Sequence, residues 1–262
     1  VEIGYQGKKL EELEGLSATE KAKMLFIVQD PYTSYYDAKV VRDFVALTQK
    51  LGFSPILLPF KPNGKAMHIK GFLTRFSKTA KTQAEFLNRV AKLNVPLVGV
   101  DSAIVLSYRD EYKEALGDSR GDFHVLTAHE WLTNQLESNT LQSAVKNIAK
   151  SDRTFEWHLF PHCTESTFMP NSPKEWQYIF AQFGQTLNVE KVGCCGMAGV
   201  FGHEVQNQTM SKDIYDVSWG KKLQGKDPNH CLATGYSCRS QVKRYEKAIL
   251  KHPVQALLEI LN

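Results

Sequence analysis

Met24-Leu25-Phe26-Ile27-Val28-Gln29-Asp30-Pro31 is an apolar run closed by Asp-Pro, and Phe155-Glu156-Trp157-His158-Leu159-Phe160-Pro161 is a second run closed by proline 130 residues later. Each run is followed by a helix-like stretch. Asp37 to Leu51 carries Val40, Val41, Phe44, Leu47 and Leu51 on one face and stops at Gly52. Pro173 to Phe183 carries Trp176, Ile179, Phe180 and Phe183 and stops at Gly184. This spacing is that of one face of a helix, with glycine as its C-terminal stop. Ser172-Pro173-Lys174-Glu175 supplies an N-cap, a first-turn proline and a capping-box glutamate.

The match continues. A short strand is predicted over Pro55–Pro59 and another over Val189–Gly193, and a glycine turn follows each at an offset of 132, with Asn63-Gly64-Lys65-Ala66 over Cys195-Gly196-Met197-Ala198. The strand Pro96–Asp101 and a helix around Tyr108–Leu116 answer to Cys231–Thr234 and a helix over Ser240–Leu250, which brings Ile104 near Cys238. Four matches in register point to a duplicated unit. Each copy reads as strands alternating with helices, which predicts an α/β fold. It consists of two pseudo-symmetric tandem units, each a short, mostly parallel sheet flanked by helices. Three further elements are predicted, namely a helix over Thr79–Leu93, a strand over His124–Thr127 and a helix from Ala128 or His129. The expected organisation is a charged lead-in or linker over 1–23, a cysteine-free unit over 24–150 and a cysteine-bearing unit over 151–262, joined near Ser151-Asp152-Arg153-Thr154.

All five cysteines of the 262 residues lie after position 160, and two of them touch in Gly193-Cys194-Cys195-Gly196-Met197-Ala198-Gly199. Neighbours on an extended strand point to opposite faces, so both thiols can face one site only where the backbone turns, and glycine makes that turn cheap. Adjacent soft thiols on a glycine turn suit zinc or an iron–sulfur cluster. A redox-active pair and an inert structural pair are the other readings of the same residues. Cys231 opens an apolar strand and reads as core, although it stays a secondary ligand candidate with His162 and His203. Trp157, Trp176 and Trp219 read as core, and Lys65 and His68, on the cysteine-free turn, receive no chemistry.

The composition excludes several classes. Hydrophobic residues make up 42% and charged residues 23%, as in ordinary globular proteins, and the net charge of +4 is spread along the chain. The densest basic stretch, Lys243–His252, is broken by Glu246 and apolar residues and reads as a solvated helix face, so no nucleic-acid partner is expected. No apolar run approaches the roughly 18 residues of a membrane span, and no signal-peptide pattern opens the chain. An odd, small number of cysteines points to a reducing cytoplasm. The paired carboxylates Glu11-Glu12 and Asp110-Glu111 look exposed, and no nucleophile elbow, phosphate loop or zinc-protease helix occurs, so no catalytic residue is assigned. The chain opens on Val1 without an initiator methionine, which suggests a piece of a longer protein.

Pro161-His162-Cys163-Thr164-Glu165, then Gly193–Gly199 running on through Val200-Phe201-Gly202-His203-Glu204, Ser211, Ile214-Tyr215 and Ser218-Trp219, and finally Tyr236-Ser237-Cys238, resemble the cysteine-rich CCG domain. That domain occurs in the heterodisulfide reductase B subunit, the glycolate oxidase iron–sulfur subunit and the anaerobic glycerol-3-phosphate dehydrogenase C subunit. The string looks closest to the C-terminal region of bacterial FAD- and iron–sulfur-containing D-2-hydroxyacid dehydrogenases of the D-2-hydroxyglutarate type.

The resemblance implies that Cys163, Cys194, Cys195 and Cys238 bind a four-cysteine iron–sulfur centre, such as a 4Fe-4S cluster, or zinc. It implies FAD and ferredoxin-like domains upstream, electrons passing from flavin to a quinone or other acceptor, and a cytoplasmic enzyme at most peripheral to the inner membrane. A homo-oligomer is compatible with it, and the piece alone is not expected to be catalytic. One departure stands out: Gly235 occupies the place of the first cysteine of a Cys-x-x-Cys found in many members, and Cys231 lies too far upstream to replace it. A structural or docking module, with zinc or a vacant thiol site and no redox role, is the alternative expectation.

Overall fold

The structure, a computed structural model, describes residues 13–141, 145 and 154–262. Glu11-Glu12 and the expected junction at 150/151 lie outside these residues. The chain divides into two compact units, Val1–Trp131 and Leu132–Asn262, the division falling within the helix Ala128–Glu137.

The first unit runs α1 (Ala18–Ala22), β1 (Met24–Val28), α2 (Ala38–Lys50), β2 (Ser54–Leu57), α3 (Lys65–Ile69), α4 (Leu73–Ala91), β3 (Leu97–Gly99), α5 (Ser102–Arg109), α6 (Glu111–Leu116), β4 (Val125–Thr127) and α7 (Ala128–Glu137). Its four strands are parallel in the order β2-β1-β3-β4. Helices on both faces of a parallel sheet bury its strands, which is why β1 reads as an unbroken apolar run and is buried at every position. Phe26, Phe76, Leu87, Val105 and Tyr108 are at the centre of the core, and each such side chain contributes roughly 1.5–3 kcal/mol by leaving water. α1 is opened by a Ser17/Glu20 capping box and buries nothing, as a charged surface helix should, whereas Leu13 before it packs into the core.

The second unit runs β5 (Glu156–Phe160), α8 (Cys163–Phe168), α9 (Ser172–Gln182), β6 (Thr186–Val189), α10 (Gln208–Tyr215), β7 (Cys231–Ala233), α11 (Tyr236–Glu246) and α12 (Pro253–Ile260). Its three strands are parallel in the order β6-β5-β7, which repeats β2-β1-β3. The register repeats as well: Met24 faces Ser54 in one sheet, and Glu156 faces Thr186 in the other. The duplication read from sequence is thus a duplication of topology.

Several boundaries differ from expectation for local reasons. β6 ends at Val189, so Glu190–Gly193 forms an extended connection before the cysteine turn instead of a strand. The helix after β7 starts at Tyr236 and carries Cys238 in its first turn. The helix expected near Tyr108 starts at Ser102, because Asp101 accepts the N–H groups of Ala103 and Ile104 and caps it there. Ser172 is the first residue of α9 and not its cap, since its hydroxyl is taken by the buried carboxylate of Glu165.

Candidate functional site

In a sheet ordered 2-1-3, the chain leaves the first strand to one side and returns on the other, which opens a crevice at the C-terminal ends of the two central strands. In the second unit that crevice lies between β5 and β7, and the loops leaving these strands carry His162-Cys163 and Gly235–Cys238. The backbone N–H of His162 donates to Thr234 Oγ1 at 2.9 Å and ties the two strand ends together. His162 also caps α8, its Nδ1 accepting from Thr164 N at 3.2 Å. Nε2 therefore carries the ring proton and faces Ser237 Oγ at 3.2 Å, and that hydroxyl stands 4.0 Å from Cys238 Sγ.

The cysteine turn comes in from β6 and is held by side chains on all sides. Gly196 has φ +84°, and a Cβ there would meet the carbonyl oxygen of Ser211 at 2.1 Å, so only glycine fits. Ala198 and Gly199 also have positive φ, at 40° and 70°. Ser211 Oγ donates to Gly196 O at 2.7 Å, and Gln241 Nε2 donates to Cys195 O at 3.0 Å and to Ser211 Oγ at 2.9 Å. Trp219 Nε1 donates to Gly193 O at 3.1 Å, and Gly193 N donates to Ser218 Oγ at 2.8 Å. Ser211 and Trp219 are in the sequence motif, but nothing in the sequence marks Gln241. A lone glutamine on the inner face of a helix is its only trace.

These elements bring the four expected cysteines together. Cys163 lies within hydrogen-bonding reach of Cys194, Cys194 of Cys195, and Cys195 of Cys238. Cys195 and Cys238 are buried, Cys163 and Cys194 half-buried, and all five cysteines of the chain are free thiols. Cys194 is the acceptor at the centre. Hydrogen bonds from Cys163 and Cys195, with the N–H groups of Gly196 and Ala198, hold its thiol far below the ordinary range. The Gly196 N–H lies 3.3 Å from its sulfur. Successive N–H groups converging from a turn of mixed hand form an anion-binding nest, here around a thiolate. Donation to Cys194, burial and the Cys238 charge push Cys163 up, and donation to Cys194 and contact with Cys238 push Cys195 up.

The thiols thus lie each within reach of the next. Among the described residues no three His, Cys, Asp or Glu side chains are arranged to hold a metal ion. The donor set itself is soft, four neighbouring sulfurs, and by chemistry it fits a thiophilic group such as an iron–sulfur cluster or zinc.

The secondary candidates are placed apart from these thiols or beside them. His162 touches Cys238 only through Ser237. His203 is exposed, and partial burial and Arg244, not a thiol, lower its pKa. Cys231 opens β7, at the strand's other end from Cys238; burial lifts it to about 11, with Lys226, Asp227 and Glu190 as its charged surroundings. A cleft of 470 Å³ in this unit is lined by Lys221, Lys226, Val242, Glu246 and Leu250 among others, and by no cysteine. Trp157, Trp176 and Trp219 are all buried, as expected of core residues.

The chain has relatives among known proteins. It is 81% identical over all 262 residues to the D-2-hydroxyglutarate dehydrogenase of Haemophilus influenzae, covering 26% of that protein. It is 58% identical over 253 residues to that of Escherichia coli K12, covering 24% of it. Both of these relatives are D-2-hydroxyglutarate dehydrogenases. The chain therefore spans about a quarter of the length of the curated relatives it matches. A more distant relative is the anaerobic glycerol-3-phosphate dehydrogenase C subunit of Escherichia coli K12, 23% identical over 241 residues, or 88% of this chain and 57% of that one. No protein-family profile matches the chain. Among the described residues no helix is long and apolar enough to cross a membrane.

Proposed function

We propose that this chain is the C-terminal, CCG-type region of an FAD- and iron–sulfur-dependent D-2-hydroxyacid dehydrogenase, and that Cys163, Cys194, Cys195 and Cys238 of its second unit ligate an iron–sulfur centre. The single observation that carries the reading is the convergence of four thiols, from three separate stretches of sequence, on the crevice between β5 and β7. The 81% identity to a protein named as a D-2-hydroxyglutarate dehydrogenase supports the choice of enzyme class.

An iron–sulfur cluster bound by these thiolates supplies one-electron transfer between the flavin of the upstream domain and a quinone or other acceptor. The chain's own residues set the terms of that binding. Donation from Cys163 and Cys195, with the Gly196 and Ala198 N–H groups, lowers the Cys194 thiol, so it is the readiest of the four to give up its proton on binding. Ser211, Gln241, Ser218 and Trp219 fix the turn, so the two adjacent thiols keep one orientation. Ser237, steadied by His162, sets a hydroxyl beside Cys238. Burial of Cys195 and Cys238 with Phe160, Met197, Tyr215 and Trp219 excludes water from that side.

One observation favours the second reading, a structural or docking module. Three of the five cysteines, Cys195, Cys231 and Cys238, are members of the unit's apolar core, where a thiol can serve as packing alone. Metal and acid-labile sulfide analysis of anaerobically purified protein, with its visible spectrum, separates the two. Iron with matching sulfide and absorbance that bleaches with dithionite is the expected result. Zinc, or no metal in a fully folded chain, refutes the redox reading.

A further inference from the structure

The first unit has its own crevice at the corresponding place, between β1 and β3, and its chemistry is of another kind. Asp30 follows β1 and Asp101 follows β3, strands paired through Phe26–Leu97, Ile27–Val98 and Val28–Gly99. Their side chains are 2% and 4% exposed. Asp30 Oδ1 accepts from Tyr32 N and Thr33 N at 2.8 and 2.9 Å, and the Thr33 hydroxyl donates to Oδ2. Asp101 Oδ1 accepts from Ala103 N and Ile104 N at 3.1 and 3.3 Å.

Three neutral groups from other elements close around the pair: Asn63 from the glycine turn, Gln83 from α4 and Tyr108 from α5, each at most 2% exposed. Asn63 Nδ2, Gln83 Oε1 and Tyr108 OH come within reach of one another, yet none completes a well-formed hydrogen bond. Such buried, half-satisfied polar groups cost stability and imply a task beyond packing. Asn63 is also the residue that the internal repeat sets over Cys195.

We propose that this group is a proton-binding site in which the buried carboxyls of Asp30 and Asp101, at the ends of neighbouring strands, take up one proton on folding. Two carboxylates in one dry pocket cannot both ionise cheaply. Charged and titratable groups bear on the pair from several elements. Asp101 acts on Asp30 and the Asp30 charge acts on Tyr108, Tyr112 touches Tyr108 and donates to Asn63 O at 2.7 Å, and Lys65 of the same turn pairs with Glu111 instead. In keeping with this geometry, burial and the Asp101 charge push Asp30 up to about 7. The proton comes from solvent and returns there, with no bond other than O–H made or broken. The inference is independent of the thiol-centre reading, because it concerns residues of the other unit.

The sign follows from linkage. The folded state binds a proton that the unfolded chain has released above the ordinary carboxylate pKa near 4, so stability falls from there until the folded pKa near 7 and is flat beyond. The test compares the wild-type chain with Asp30→Asn, which keeps the Oδ1 acceptor and loses the charge. Urea unfolding from pH 5 to 8.5 supplies the stability profiles, and infrared spectroscopy of the folded wild type the carboxyl state. The wild type's folding constant is expected to fall relative to the variant's by on the order of a hundredfold between pH 5 and 7, one proton giving tenfold per pH unit. A protonated-carboxyl band is expected at pH 5 and not at pH 8.5.

Should Asp30→Asn fail to fold, Asp101→Asn serves: with the like charge gone, the fall must shrink. Parallel profiles for variant and wild type overturn the proposal, as does the absence of the band at pH 5. So does a rise in wild-type stability at pH 8 on adding magnesium or calcium that the variant lacks, which would make the occupant a hard cation.

Discussion

Replacing Gly196 by alanine tests whether the cysteine turn is held by its backbone, and Gly184 supplies the control. Both glycines have left-handed backbones, φ +84° and +68°. At Gly184 an added Cβ has nothing within 4 Å, whereas at Gly196 it meets Ser211 O at 2.1 Å and Ser211 C at 3.0 Å. An ordinary carbon–oxygen contact is about 3.3 Å, so the turn and α10 must part by roughly an ångström. The left-handed conformation costs alanine about 1–2 kcal/mol at either site. At Gly196 the displacement also breaks the Ser211 hydroxyl bond to Gly196 O and the Gln241 bond to Cys195 O, each with a net value of about 1 kcal/mol. We therefore expect Gly184→Ala to cost about 1–2 kcal/mol and Gly196→Ala about 3–4 kcal/mol. Amide hydrogen exchange at Trp157–Phe160 of β5 reads local stability in this unit and needs no assumption about the other. Equal losses for the two variants would show that the turn moves freely against α10 and would refute the geometry on which the nest around Cys194 depends.

Other consequences can be checked as directly. Cys194→Ser should abolish iron and sulfide retention on anaerobic reconstitution, whereas Cys231→Ala should leave metal content unchanged and cost only about 1–2 kcal/mol in urea unfolding. Trp219→Phe retains an aromatic ring against Phe160 but removes the indole's second ring from a fully buried site as well as the bond to Gly193 O, so a cost of about 2–3 kcal/mol is expected; a loss below about 1 would mean the site closes over the missing ring. Burial opposes ionisation of Glu130, but its bonds to Arg109 and the Thr127 N–H outweigh burial and hold its carboxyl below the usual range. Glu130→Gln should therefore cost about 1–2 kcal/mol at pH 7. That gap should close as pH falls through and below the folded pKa, since a depressed carboxylate stabilises only while ionised; a gap constant down to pH 3 would count against the ion pair.

Much of the fold was legible because parallel strands buried on both faces leave continuous apolar runs, as at Met24–Val28, and because glycines end helices at Gly52 and Gly184. The repeat was legible because it survives in spacing even where the chemistry has changed. Boundaries were not: where β6 ends is decided by strand pairing, and Val192-Gly193 looks no less strand-like than Thr186–Val189. The Ser172 cap failed because a distant carboxylate, Glu165, competes for the hydroxyl, and no local rule sees that partner. At the candidate site the four cysteines were identified by motif and the structure brings them together, but the frame of Gln241, Ser218 and the Thr234 tie depends on contacts across 25 to 72 residues of sequence. The carboxylates of the first unit were visible only as strand terminators; that they end neighbouring strands is a fact of topology.

Gly235 bears on how such a site can change over time. The ring of His162 lies over it, and a Cβ at 235 would meet His162 Cδ2 at 2.2 Å and Cγ at 2.8 Å. A cysteine at position 235 therefore requires the imidazole of residue 162 to turn aside, and the turned ring gives up the cap of α8. Adding a sulfur to this crevice thus carries a cost at the start of a neighbouring helix.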